Sequence, residues 1–237
     1  HLQELPYGGW VAPNIYYLGY VGCVRVGGVR ITGLSGIYDA RDYNTGRHER
    51  VPYSGDTMRS VYHVKRWDFE RLEAFAHVAA VPGARTNAPL TDVFLSHDWP
   101  ANAAQAGDVG SLLRRKPYFR DELARGELGS PIGARIMFLL RPSFWFSAHM
   151  HVKHAGVVWH HDTAGAASSA SSAAAAPRDA NEIDLDEEEE AVPPPAAPTQ
   201  PPTPAPPHAT RFLALDKILP DRDFLQVLDI PASHPVS

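Results

Sequence analysis

Three histidines stand directly after apolar runs, the placement that a metal site at the rim of a β-sheet needs. Residues 144–153 read F-W-F-S-A-H-M-H-V-K. An aromatic run suited to a buried strand ends at Ser147 and leads into His149 and His151. As an i, i+2 pair leaving a strand, the two imidazoles are predicted to point to one side, so their nitrogens can converge on one divalent ion or on two neighbouring ions. Residues 93–100 read V-F-L-S-H-D-W-P, a second hydrophobic run closed by a serine and followed by His97. Neutral imidazole is a common metal ligand, and two such boxes in one chain make a shared site a sharp reading. The alternative is two unrelated strand-end histidines, each satisfied by a backbone carbonyl. His154, His160 and His161 follow the second box and match no ligand spacing.

A different chemistry is written into residues 35–65, a long polar stretch without helical or strand periodicity. Arg41, Arg47, Arg50 and Arg59 alternate there with Tyr38, Tyr43, Tyr53 and Tyr62. Guanidinium groups grip phosphates in bidentate fashion and phenol rings stack on splayed bases, which together suit single-stranded or looped RNA. Asp42 and His48 add hydrogen-bonding groups. An ordinary surface loop of mixed Arg and Tyr is the alternative, although long ordered loops in compact domains tend to be functional.

The elements that must carry these groups alternate between strand and helix. Residues 14–21 and 25–34 read as one hairpin, turned at Gly27-Gly28 or near Gly22. Phe69, Leu72 and Phe75 have helical spacing within residues 67–75. Residues 91–97 form the first His-terminated strand. A helix is predicted over 112–123 with a break at Pro117, and another over 131–140 stopped by Pro142. Strands follow at 144–147, 155–160, 212–215 and 224–230. The expected organisation is a catalytic-domain part over residues 1–163, a disordered linker over 164–209, and a C-terminal segment over 210–237 that packs back on the first part.

The linker distorts the charge balance. Of the net charge of −5, residues 164–209 account for −7, with Arg178 against eight carboxylates from Asp179 to Glu190, so the rest carries +2. A slightly basic body is compatible with nucleic acid without requiring it. The stretch passes from Ala and Ser through the acidic run into Pro, a composition that buries too little to offset the entropy of ordering. It reads as a solvated spacer, with docking of a basic protein partner as the alternative. The single Cys23 excludes an intrachain disulfide and suits a reducing compartment. No apolar run approaches the roughly 18–20 residues that span a bilayer, so no membrane association is expected. The chain opens on His1 without a charged and apolar leader, which reads as a processed chain or a fragment.

Several strings carry a resemblance. H-L-Q-E-L-P-Y-G-G-W-V-A-P-N-I-Y-Y-L-G at residues 1–19, D-Y-N-T-G-R-H-E-R at 42–50, R-S-V-Y-H-V at 59–64, F-L-S-H-D-W-P, W-F-S-A-H-M-H-V-K, and F-L-A-L-D-K-I-L-P-D-R-D-F-L-Q-V at 212–227 are similar to the RNA lariat debranching enzymes, members of the calcineurin-like metallophosphoesterases. The match covers nearly everything except the linker and residues 76–89. The resemblance implies a mixed α/β fold, a two-sheet sandwich flanked by helices with metal at the strand ends. It implies metal-dependent hydrolysis of the 2′–5′ phosphodiester at the branch point of excised intron lariats, in the nucleus, during mRNA processing.

The resemblance also assigns residues. His97 and His149 would serve one metal position and His151 the other, for a divalent iron, zinc or manganese ion. Tyr38, Arg41, Asp42, Tyr43, Arg47, His48 and Arg50 would contact branched RNA. The family's earlier boxes, including its general-acid histidine, match nothing in this chain and would lie upstream of His1. The fragment alone is therefore expected to lack the strands that those boxes end, to be nearly inactive, and to be insoluble or molten. Other readings are a metallophosphoesterase for phosphoproteins or nucleotides, and a non-catalytic RNA-binding or interaction module.

Overall fold

Two hairpins open the fold, where the sequence suggested one. In the computed structural model, which describes residues 2–79, 89–160 and 208–233, β1 (Gly9–Ala12) pairs antiparallel with β2 (Ile15–Tyr17), and Trp10 faces Tyr16 across the ladder. β3 (Val21–Val26) pairs antiparallel with β4 (Val29–Leu34). Their turn is Gly27-Gly28, both at positive φ (56° and 78°), the backbone of a tight primed turn that glycine reaches without strain. The run 14–21 breaks at Gly19, also at positive φ (82°), so its first half pairs backward with β1.

The long segment after β4 holds only one helical turn, α1 (Thr57–Ser60). α2 (Arg66–Ala79) buries Phe69, Leu72 and Ala76, one stripe of a 3.6-residue period. After β5 (Val93–Ser96), the helix expected to break at Pro117 is two short helices, α3 (Val109–Arg115) and α4 (Arg120–Arg125), joined by a 3₁₀ turn over Pro117–Phe119. α5 (Pro131–Leu140) starts with Pro at its first position and Ser130 as cap, whose hydroxyl accepts the Gly133 N–H at 3.0 Å. β6 (Phe144–Ser147), β7 (His154–His160) and β8 (His208–Ala214) complete the set.

β3, β4, β5, β6, β8 and β7 lie side by side in that order. The four inner strands β4, β5, β6 and β8 are parallel, and β3 and β7 run antiparallel at the edges. The strand expected at residues 224–230 does not form. The segment joins no ladder, and Leu225 and Val227 stay exposed.

One face of the sheet places Phe94, Trp145 and Phe212 against Leu72, Leu112, Ile136 and Leu140 of the helices in a continuous core. The other face carries Phe144, Phe146 and Leu213, with Leu95, Val157 and Trp159 exposed. The chain is thus a mixed α/β structure with a six-stranded mixed sheet and helices, consistent with a metallophosphoesterase-like fold. The linker expected at 164–209 lies outside the described residues except for His208 and Ala209 in β8. No helix among the described residues is long and apolar enough to cross a membrane.

This topology decides where chemistry can gather. In open parallel sheets, ligands sit beyond the carboxyl ends of the strands. The segment 35–65 leaves the end of β4, His97 leaves β5, and His149 and His151 leave β6, three adjacent parallel strands ending at one edge.

Candidate metal centre and nucleic-acid interface

His97 and His149 meet. Nε2 of His97 lies 3.2 Å from Nδ1 of His149, with ring centroids 5.0 Å apart. Two nitrogens each about 2.1 Å from one ion at a tetrahedral angle would be about 3.4 Å apart, so this pair fits a common ion. Burial holds both imidazoles below the ordinary histidine range; His149 and then His151 push His97 further down while Asp98 opposes, and His151 does the same to His149. His151 is exposed and close enough for its charge to be felt by both. The donor set is all imidazole, which suits zinc or iron better than the harder oxygen-seeking ions.

The convergence does not arise from strand alternation. β6 ends at Ser147, and His149 and His151 both take the left-handed backbone (φ 55° and 50°), with Met150 N–H donating to Ala148 O at 2.7 Å between them. Non-glycine residues rarely adopt that conformation, and its small cost is held by the surroundings at sites where a side chain must be aimed. The left-handed residues on either side of Met150 bend the chain as it leaves β6, a feature that the apolar pattern of the sequence does not reveal.

A hydrogen-bonded clasp fixes the two strand ends. The parallel register places Leu95 beside Phe146, which leaves Ser96 beside Ser147 with hydroxyls 2.8 Å apart. Both hydroxyls donate to the Asp98 carbonyl, at 2.7 and 3.1 Å, and the buried Trp145 indole N–H reaches both, at 2.9 and 3.0 Å. Past the strands, Ala148 N–H donates to His97 O at 3.0 Å and Trp99 Nε1–H donates to Ala148 O at 2.8 Å. These groups hold the backbones of both histidine boxes at a fixed separation. The serine that closes each apolar run was the visible signal for them; its partnership with Trp145 was not visible.

The Arg/Tyr segment is tied to the same edge. Its Tyr38 N–H donates to the Asp98 carboxylate at 3.3 Å. Lys65 and Glu49 form an ion pair at 3.2 Å with both side chains almost fully buried, and Ser60 Oγ donates to Glu49 at 2.6 Å. Arg47 pairs with the buried Asp68 and lies over the Tyr20 ring, its Cζ 3.5 Å from the centroid. Asp42 accepts from His63 Nδ1 at 2.6 Å, and Tyr38 and Tyr43 pack ring to ring. Arg41, His48 and Arg50 are exposed. Of the seven candidate contact residues, three therefore face solvent and four are engaged within the protein. Asp39, Asp42 and His63 also bring one ligand atom each within 4.8 Å of one another, a small cation-competent group that their scattered positions concealed.

The histidines that matched no box have ordinary partners. His154 is buried, its Nε2 3.0 Å from Ala104 O, and His160 is buried with Nε2 2.7 Å from Thr210 Oγ1. His161 lies outside the described residues.

Comparison with known proteins gives a consistent answer. The chain is 47% identical over 232 residues to a lariat debranching enzyme of Drosophila pseudoobscura pseudoobscura, covering 98% of this chain and 40% of that protein. The human lariat debranching enzyme is 40% identical over 230 residues, covering 97% and 33%. Over nearly its whole length the chain is similar to lariat debranching enzymes. The enzyme of Arabidopsis thaliana is likewise 40% identical over 230 residues, covering 97% of this chain and 42% of its own length. Residues 207–237, which contain all of β8, match the lariat debranching enzyme C-terminal domain. The chain spans about a third to two-fifths of the length of these relatives.

Proposed function

We propose that this chain supplies part of a metal-dependent site for hydrolysis of the 2′–5′ phosphodiester in branched RNA. The observation that carries the reading is the 3.2 Å approach of His97 Nε2 to His149 Nδ1 at the ends of adjacent parallel strands. His97, His149 and His151 hold a divalent ion, with iron, zinc and manganese as the candidates. A divalent ion held there supplies Lewis-acid stabilisation of phosphoryl charge. The clasp of Ser96, Ser147 and Trp145 keeps the ligand backbones in place. Residues 35–65 bring Arg41, His48 and Arg50 to the RNA backbone, and the engaged residues Tyr38, Asp42, Tyr43 and Arg47 hold the segment's shape. The similarity to lariat debranching enzymes and the shared edge of the sheet support this division of labour. The natural setting is excised introns in mRNA processing in the nucleus. By itself the chain binds one ion weakly and cleaves little, because its three imidazoles bring no bridging carboxylate.

Histidine NMR signals followed during titration with zinc(II), a diamagnetic ion, test the reading. The His97, His149 and His151 ring signals shift or broaden together at the first additions, while those of the buried His154 and His160 stay unchanged. A response spread evenly over all the histidines, or one that spares His97 and His149, would refute it.

A further inference from the structure

Beside His97 the structure opens a cleft of about 400 Å³ that the metal and loop residues do not explain. It is lined by Tyr16 and Tyr17 of β2, by Ser35 and Gly36 after β4, and by Leu95, Ser96 and His97 at the end of β5. Tyr16 is 42% exposed and is braced from across the ladder by Trp10, edge to face at 5.3 Å. The lining contains no Arg or Lys, and the Ser35 hydroxyl is occupied by Gly19 O at 2.8 Å. Such a wall cannot hold a phosphate, but it suits a flat, uncharged ring. Its volume is in the range that accepts a nucleoside.

We propose that this cleft is a nucleobase subsite, in which Tyr16, braced by Trp10, stacks on the base of a nucleotide adjoining the scissile phosphate. The proposal rests on the reading of His97 as part of a phosphodiester site. A phosphate at His97 places the attached nucleoside within one sugar length of the cleft, and stacking on tyrosine needs no particular base because every base has a π-face. The subsite therefore grips the branch region without reading its sequence.

The test measures binding of the whole chain to a synthetic branched RNA by fluorescence anisotropy. Abasic nucleotides are placed one at a time at the branch and at its 2′ and 3′ neighbours. One of them lowers affinity about 5- to 100-fold, the loss expected when one stacked base is removed. Tyr16→Leu lowers affinity for the intact RNA to the same extent and makes that abasic change silent, whereas Tyr16→Phe binds like the parent. The abasic series on the unaltered protein remains decisive if Tyr16→Leu misfolds. Preference for branched over linear RNA with no abasic effect overturns the subsite and leaves the debranching reading standing. An abasic effect equal in branched and linear RNA supports the subsite and removes the branch-specific reading. Absence of any RNA binding overturns both.

Discussion

Replacing Lys65 by Met should loosen the segment that carries the exposed arginines. The Lys65 ammonium lies 3.2 Å from Glu49, 3.0 Å from Thr45 Oγ1 and 3.4 Å from Asp42 O, and the two charged side chains are 2% and 3% exposed. At an effective dielectric of about 20, the Glu49–Lys65 attraction amounts to about 5 kcal/mol. Desolvation of both ions cancels much of this, so the intact pair adds little net stability. Removing one partner is different, because Glu49 then remains buried with no opposite charge, held only by Ser60 and its own backbone, at a cost of about 3–5 kcal/mol. The pH dependence provides an independent check. Burial works against ionisation of Glu49, but the Ser60 hydroxyl, its own backbone and Lys65 together outweigh it and hold the carboxyl at about 2 against an ordinary 4.5. A folded value below the unfolded one means that its contribution is full above pH 4.5 and is lost as the pH falls toward 2. The upper bound on that contribution is about 3 kcal/mol, reduced by solvent that reaches this near-surface segment. In Lys65→Met the Glu49 value rises and this acid limb flattens. Thermal unfolding of the parent and the variant from pH 2 to pH 7, with hydrogen exchange read over residues 42–65, measures both effects. A variant within 0.5 kcal/mol of the parent that kept the same acid limb would falsify the account, on the usual scale of surface changes.

Other substitutions probe the scaffold beneath the site. Phe94 and Trp145 are fully buried and stacked at 4.1 Å, so Phe94→Ala should cost about 3–5 kcal/mol in chemical denaturation; less than 1 kcal/mol would mean that the central strands do not share one core. Ser96→Ala or Ser147→Ala alone leaves the Trp145 indole one hydroxyl, and each should cost about 1 kcal/mol. The double change leaves it none and should exceed the sum of the singles by about 1 kcal/mol or more; simple additivity would show that the clasp is not a unit. A side chain at Gly107 would bring Cβ within 2.0 Å of Ala155 O, so Gly107→Ala must displace the edge strand β7 and should lower the melting temperature by several degrees, whereas an unchanged melt would contradict that packing.

How far the sequence led can be judged from particular residues. The apolar runs before His97 and His149 were sufficient to place both as strands, although only one face of the sheet is a full core and Leu95 of β5 is exposed on the other. Which strands are neighbours was not readable, since pairing across 50 residues leaves no local trace. The convergence of His97 with His149 was expected from shared placement after strands; the left-handed backbone at His149 that accompanies it is one that histidine visits more often than most residues, and the apolar pattern gives no sign of it. Residues 224–230 show the opposite failure. Five of these seven residues are apolar, which reads as a strand, yet the segment joins no ladder and leaves Leu225 and Val227 exposed.

The Arg/Tyr segment shows most clearly why composition underdetermines a binding surface. Arg41, Arg47 and Arg50 look equivalent in the sequence, yet Arg47 neutralises the buried Asp68 and covers Tyr20 while Arg41 and Arg50 reach into solvent. A guanidinium already held by a buried carboxylate cannot release counterions from an RNA phosphate. In binding to branched RNA, Arg41→Ala and Arg50→Ala should therefore each weaken affinity and reduce the slope of log affinity against log salt by about 0.7–0.9. Arg47→Ala should instead act through stability, because it strands the Asp68 carboxylate in the interior at a cost of about 3–5 kcal/mol. Its salt slope, measured at a temperature where the variant is still folded, should match that of the parent. Equal reductions in slope for all three arginines would show that Arg47 leaves Asp68 to meet the RNA, and the segment would then have to reorganise on binding.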